Sequence, residues 1–155
     1  MANTSRNSLP LLVIDGYNVI HAWNDLKVAQ RQSLRKAREL LIERLSILHY
    51  LEIYQVVLVF DGKSPEPVAI PPLSDDFIVV FSPKGMSADG LIEKYVNESV
   101  ARRQVTVVTS DLEEKRQVES MGAFCMSPEW LQQELAYRQE DFKMLLEKVH
   151  HNSRL

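Results

Sequence analysis

The chain is short of the residues that several common chemistries require. Its 155 residues include a single cysteine, Cys125. An internal disulfide is therefore impossible, and a reducing compartment is the natural setting. The five glycines stand singly, which excludes the glycine-rich loops that cradle nucleotide phosphates. The histidines show no metal-binding spacing, and His150 and His151 sit in a tail-like run. No stretch approaches the roughly 20 apolar residues of a membrane span. The opening Met-Ala-Asn-Thr-Ser-Arg-Asn-Ser lacks the apolar centre of a signal peptide and reads as a disordered lead over residues 1–9. The expected location is the cytoplasm, with no membrane partner. A net charge of −3 gives no overall pull toward nucleic acid, so contact with a polyanion must come from a local patch.

What is present is a repeated pattern. Leu11-Leu-Val-Ile-Asp15 is an apolar run that stops at an aspartate, with Gly16 next and Asn18 close behind. Such a run reads as a strand buried on both faces of a parallel sheet. Gly16 lets the backbone turn sharply after it. Gln55–Phe60 repeats the pattern and ends at Asp61, and Val105–Thr109 repeats it before Ser110 and Asp111. Phe77–Phe81 and Ala123–Met126 read as further strands. Between Lys63 and Asp76 lies a connection holding Pro65, Pro67, Pro71 and Pro72, too long for a minimal link and read as a functional flap.

Helices fill the intervals. Leu34, Ala37, Leu41, Leu45 and Leu48 make one apolar stripe, which predicts a helix over Ala29–Tyr50; Val19–Lys27 before it is mixed in character. Ser87 is a cap for a helix to about Ala101, with Asp89 in its first turn and Glu93 on the same face. A helix follows Asp111 to about Met121, closed by Gly122 in the left-handed conformation. Ser127-Pro128-Glu129 opens a last helix to about Val149. Strand–helix alternation predicts a single α/β domain over 10–150 with a mainly parallel sheet of about five strands, and a polar tail at 151–155. Right-handed crossovers bring Asp15, Asp61 and Asp111 to one rim, and the start of the Ser87 helix adds Asp89.

Carboxylates gathered in this way repel unless a cation offsets them. Mg²⁺ or Mn²⁺ suits oxygen ligands, and such ions serve phosphodiester cleavage. A lone aspartate at a strand end is also an ordinary turn or cap former, and Asp111 in particular reads equally as the cap of the next helix. Asp25, Asp75 and Asp76 follow no buried strand and read as solvated. Between Arg31 and Arg44 five basic and two acidic residues leave a local excess of +3. Arg31, Arg35 and Arg38 are either a groove wall for phosphate or a solvated face with pairs such as Arg35–Glu39. Trp23 is either a base-stacking platform or a packing residue. Cys125, in a strand, reads as an inert thiol. An aspartyl-phosphate phosphatase would carry a second aspartate two residues after the first, and Tyr17 stands there.

Taken together, Asp15-Gly-Tyr-Asn18 after an apolar strand, Val59-Phe-Asp61, Gly85-Met-Ser-Ala-Asp89 with Ile92-Glu93, and Val108-Thr-Ser-Asp111 resemble the YacP-like NYN proteins of the PIN-like nuclease group. The resemblance spans roughly Leu11 to Leu135. It implies a PIN-like three-layer sandwich, an endoribonuclease using Mg²⁺ or Mn²⁺, and cleavage of mRNA on translating ribosomes. It assigns Asp15, Asp89 and Asp111 as acidic ligands, with Asn18 orienting the first and Glu93 as helical neighbour of the second. Asp61 is implied as ligand or structural support. Where the family often carries Glu-Thr-Ala-Asp, this chain has Met86-Ser87-Ala88-Asp89, which keeps the hydroxyl cap and lacks one acid. The expected function is a metal-dependent endoribonuclease; the alternative is a non-catalytic RNA- or ribosome-binding module of the same fold.

Overall fold

The computed structural model describes residues 9–62 and 76–153. The described residues form five strands, β1 (Leu11–Asp15), β2 (Gln55–Phe60), β3 (Phe77–Phe81), β4 (Val105–Val108) and β5 (Phe124–Met126), and six helices. The helices are α1 (Gly16–Ala22), α2 (Asn24–Gln32), α3 (Leu34–Tyr50), α4 (Ala88–Ser99), α5 (Leu112–Ser120) and α6 (Pro128–Ser153). The strands form one sheet in the order β3-β2-β1-β4-β5, and all four pairings are parallel.

Alternation along each strand builds two cores, as a period of two requires. Leu12 and Ile14 of β1 face one side with Val56, Leu58 and Phe60 of β2, and they meet Ile20, Leu41, Leu45 and Leu131 of α1, α3 and α6. Leu11 and Val13 face the other side with Val57, Val59, Val105 and Val107, covered by Leu91, Ile92 and Val96 of α4 and Val118 of α5. This is a three-layer α/β sandwich. No helix among the described residues is long and apolar enough to cross a membrane.

Several expectations need correction. The helix predicted over Ala29–Tyr50 is two helices. Ser33 is extended, with φ −161°, and its hydroxyl accepts from the Lys36 N–H to cap α3. The mixed segment before it, Val19–Lys27, is itself helical, as the end of α1 and the start of α2. Gly16 is required for space, not for conformational freedom: a Cβ there would lie 2.3 Å from the Phe60 ring. Gly122 does adopt the expected left-handed turn, at φ 102°. Asp76 is not solvated: it is only 6% exposed, and its carbonyl accepts from Val56 N–H. The polar tail begins inside α6, which continues to Ser153. Residues 1–8 of the lead, the proline-rich connection at 63–75, and 154–155 lie outside the described residues.

Candidate active site

The sheet order reverses next to β1: the chain moves outward through β2 and β3, then returns to add β4 and β5 on the other side. The crevice beyond the carboxyl ends of β1 and β4 is thus a topological switch point, where open parallel sheets place their sites. Asp15 ends β1, and Thr109, Ser110 and Asp111 follow β4 directly. The two sides are stitched together. The Asn18 Oδ1 accepts from Ser110 N–H at 2.9 Å and from Ser110 Oγ at 3.0 Å, and Thr109 Oγ1 approaches Asp15 Oδ2 at 3.5 Å.

The third side is the start of α4. Ser87 caps it, accepting from Gly90 N–H at 3.1 Å, and this holds Asp89 in the first turn. Ser82, just past β3, accepts from Gly62 N–H at 2.9 Å, tying the end of β3 to the turn after Asp61. Asp111 does cap α5: its Oδ1 accepts from the N–H groups of Glu113 and Glu114. Both bonds fall on one oxygen, so the cap leaves the second oxygen of the carboxylate to other partners.

These acids feel one another. Burial first, then the nearby charges of Asp89 and Asp111, push Asp15 up to about 6, against the opposing pull of the Asn18 N–H and Thr109 hydroxyl. Burial, with Asp111 and Asp61, raises Asp89. Burial and Asp89 raise Glu93. The largest effect falls on Glu114, a residue the sequence reading passed over. It is 3% exposed, and burial together with Asp89, Glu93, Asp111 and Asp15 lifts it to about 8. Its Oε1 is buried without a hydrogen-bond partner. The available signal was its place four residues before Val118, on the inward face of α5. Its spacing from Asp111 mimics a capping box, but the Asp111 N–H is taken by Thr109 Oγ1 at 3.2 Å, so Glu114 is not drawn into that cap.

The expected sites divide. Asp15, Asn18, Asp61, Asp89, Glu93 and Asp111 come together at the rim. Arg31, Arg35 and Arg38 do not form one stripe, because the break at Ser33 puts Arg31 on α2 and the others on α3. Arg31 and Arg35 are exposed, and Arg35 pairs with Glu39 at 3.1 Å, the solvated-face arrangement. Arg38 is buried, at 2% exposed. Trp23 is also 2% exposed, donates from Nε1 to the Pro128 carbonyl at 2.9 Å, and is covered by Arg44, which pairs with Asp25. It is a packing residue, with no face left for a base. Burial raises the Cys125 thiol, in keeping with an inert sulfur.

The YacP-like NYN domain model matches residues 12–154. The chain belongs to the YacP-like NYN family. It is therefore a domain of nuclease type. It is 30% identical over 129 residues to the uncharacterised protein YacP of Bacillus subtilis (strain 168), covering 82% of this chain and 75% of that one. The crystal structure of Rae1 (YacP) from Bacillus subtilis superposes with a TM-score of 0.80 at 26% identity, over 93% of this chain and 83% of that one. Its W164L mutant gives 0.75 at 27% identity, over 92% and 85%. This YacP-like NYN domain thus shares its fold with Rae1.

A divalent ion is the group that the family resemblance implies for the rim. Among the described residues no three acidic, histidine or cysteine side chains stand in a grouping that would hold a metal ion as they are placed. The donor chemistry nevertheless fits a hard cation. The candidate donor atoms are all oxygens, the acids raise one another, and a buried carboxylate oxygen of Glu114 has no hydrogen-bond partner.

Proposed function

We propose that this protein is a divalent-metal-dependent endoribonuclease that hydrolyses RNA phosphodiesters in the cytoplasm, with mRNA on the ribosome as its substrate. The observation that carries the reading is the crowding at the β1–β4 switch point. Asp15, Asp89, Glu93 and Glu114 are all raised there by burial and by neighbouring acids. A binding module for a polyanion gains nothing from buried, mutually repelling carboxylates, whereas a metal-dependent nuclease requires them.

Asp15, Asp89 and Asp111 would hold the ion, with Glu93, Asp61 and Glu114 completing or flanking the set. When bound, Mg²⁺ or Mn²⁺ supplies Lewis-acid polarisation of the phosphoryl group and an acidified water. The chain's own work is orientation. Asn18, anchored on Ser110, keeps the turn after Asp15 aligned with the turn after β4. Ser87 keeps Asp89 in the first turn of α4. Arg31 and Arg35, both exposed, would attract the RNA backbone.

The test is cleavage of RNA and of a small phosphomonoester while Mn²⁺ is titrated. Metal-dependent cleavage of RNA alone supports the reading. Binding of RNA with no cleavage at any metal concentration would replace the enzyme with a binding module.

A further inference from the structure

Arg38 is a cation that neither the fold nor the rim chemistry explains. Its guanidinium is buried on α3. Nη1 donates to the Tyr17 hydroxyl at 3.2 Å and the group lies over the Phe81 ring at 5.7 Å. Its Nη2 is buried with no hydrogen-bond partner. A methionine of similar length would fill this place without the cost of burying an unpaired charge.

The partners of Arg38 place it under the rim. The Tyr17 ring is 4.8 Å from Phe60, and Phe60 is 5.5 Å from Phe81, so four side chains close a ring. Tyr17 lies in the first turn of α1, two residues past Asp15 and next to Asn18. Phe60 immediately precedes Asp61, and Phe81 ends β3. The backbone at Gly16 is pressed against the same Phe60 ring. The turn bearing Asp15 and Asn18 therefore rests on an aromatic floor that is tied by a side-chain hydrogen bond from Arg38 to Tyr17.

We infer that Arg38 is a positioning residue for the site. Through the Tyr17 hydroxyl it holds the first turn of α1, so that Asn18 reaches Ser110 across the switch point and Asp15 stays at the rim. Its catalytic consequence rests on the nuclease reading; its geometric one does not.

Two variants test it, Tyr17→Phe, which removes only the acceptor, and Arg38→Met, which removes the donor and keeps the packing. Each should lower kcat for RNA cleavage by roughly 10- to 100-fold, the usual reach of residues one layer behind a metal site, with KM within about twofold. The double variant should lose no more than either single one, because both break the same link. In NMR spectra, the Ser110 N–H and Asn18 side-chain amide signals should shift in both variants while the Leu58 N–H, in the core strand β2, stays in place. Unchanged kcat overturns the inference, as does a raised KM at constant kcat, which would make Arg38 a substrate contact. Concerted shifts at Ser110 and Leu58 overturn it too, as general loosening of the fold. If the wild-type protein cleaves no RNA with any divalent ion, the nuclease reading fails. The NMR comparison alone then decides the brace, upheld by selective shifts at Ser110 and Asn18 and refuted by none.

Discussion

The rim and the α2–α3 surface are two charged regions of this molecule, and they hold their charge in opposite ways. At the rim the acids are collective: Glu114 is raised by burial and by Asp89, Glu93, Asp111 and Asp15 at once, and no cation offsets them at Glu114. Along α2 and α3 the cations are individual. Arg35 pairs with its helical neighbour Glu39, Arg44 pairs with Asp25 and covers Trp23, and Arg38 is buried against Tyr17 and Phe81. Charges settled separately contribute little beyond their own contacts. Charges that are mutually unsettled call for an external partner, which is why the proposed function is placed at the rim and not on the helices.

The sharpest way to break this contrast is to remove one acid from the collective. Asp89→Asn should cut RNA cleavage by roughly 10²-fold or more, a loss of the size seen when one stabilising group leaves a reaction centre. The fold should remain and melt no lower without metal, since a repulsion has been relieved. Steady-state cleavage and thermal melts check both halves. On the other side, Trp23→Ala should cost about 3–5 kcal/mol of stability as a large buried aromatic, read by urea unfolding. RNA affinity of the folded fraction should not change, because Trp23 offers no face to a base.

A smaller effect tests the collective charge directly. Asp15 and Glu114 have folded values above their unfolded ones, at about 6 and about 8. The unfolded chain therefore releases these protons first, at about pH 4. Between there and about pH 8 the native state holds more protons, so metal-free stability should fall as pH rises through that window. Glu114→Gln should flatten the upper part of the fall, and Mn²⁺ should raise the melting temperature more at pH 8 than at pH 6. Smallest of all, replacing Arg31 and Arg35 by Gln should change stability by no more than about 0.5 kcal/mol. If both touch phosphates, the salt dependence of RNA binding should lessen by roughly 0.7 per contact; an unchanged slope makes them a solvated face.

The same contrast explains what was legible in the sequence. Asp15, Asp61, Asp89 and Asp111 were found because each follows or faces a strand end, and parallel topology carries strand ends to one edge whatever the local details. The five strands and their rim could be read for that reason. The arginine stripe could not, because its spacing assumed one continuous helix, and a single extended residue, Ser33, turns α3 away from α2. Residue type alone leaves Trp23 open between stacking and packing and puts Arg38 on a surface, whereas long-range contacts with Pro128, Tyr17 and Phe81 bury both. Glu114 was hidden by its resemblance to a helix cap. Its burial depends on α4 bringing Asp89 and Glu93 against α5, a pairing that no local pattern encodes.

The claim that the rim is a divalent-metal centre is tested most directly by anomalous diffraction from crystals grown with Mn²⁺. The account predicts anomalous density bounded by the carboxylates of Asp15, Asp89 and Asp111 at the β1–β4 switch point, absent from Asp89→Asn crystals. A saturating soak that leaves this crevice without density, in a protein that cleaves RNA, would contradict it.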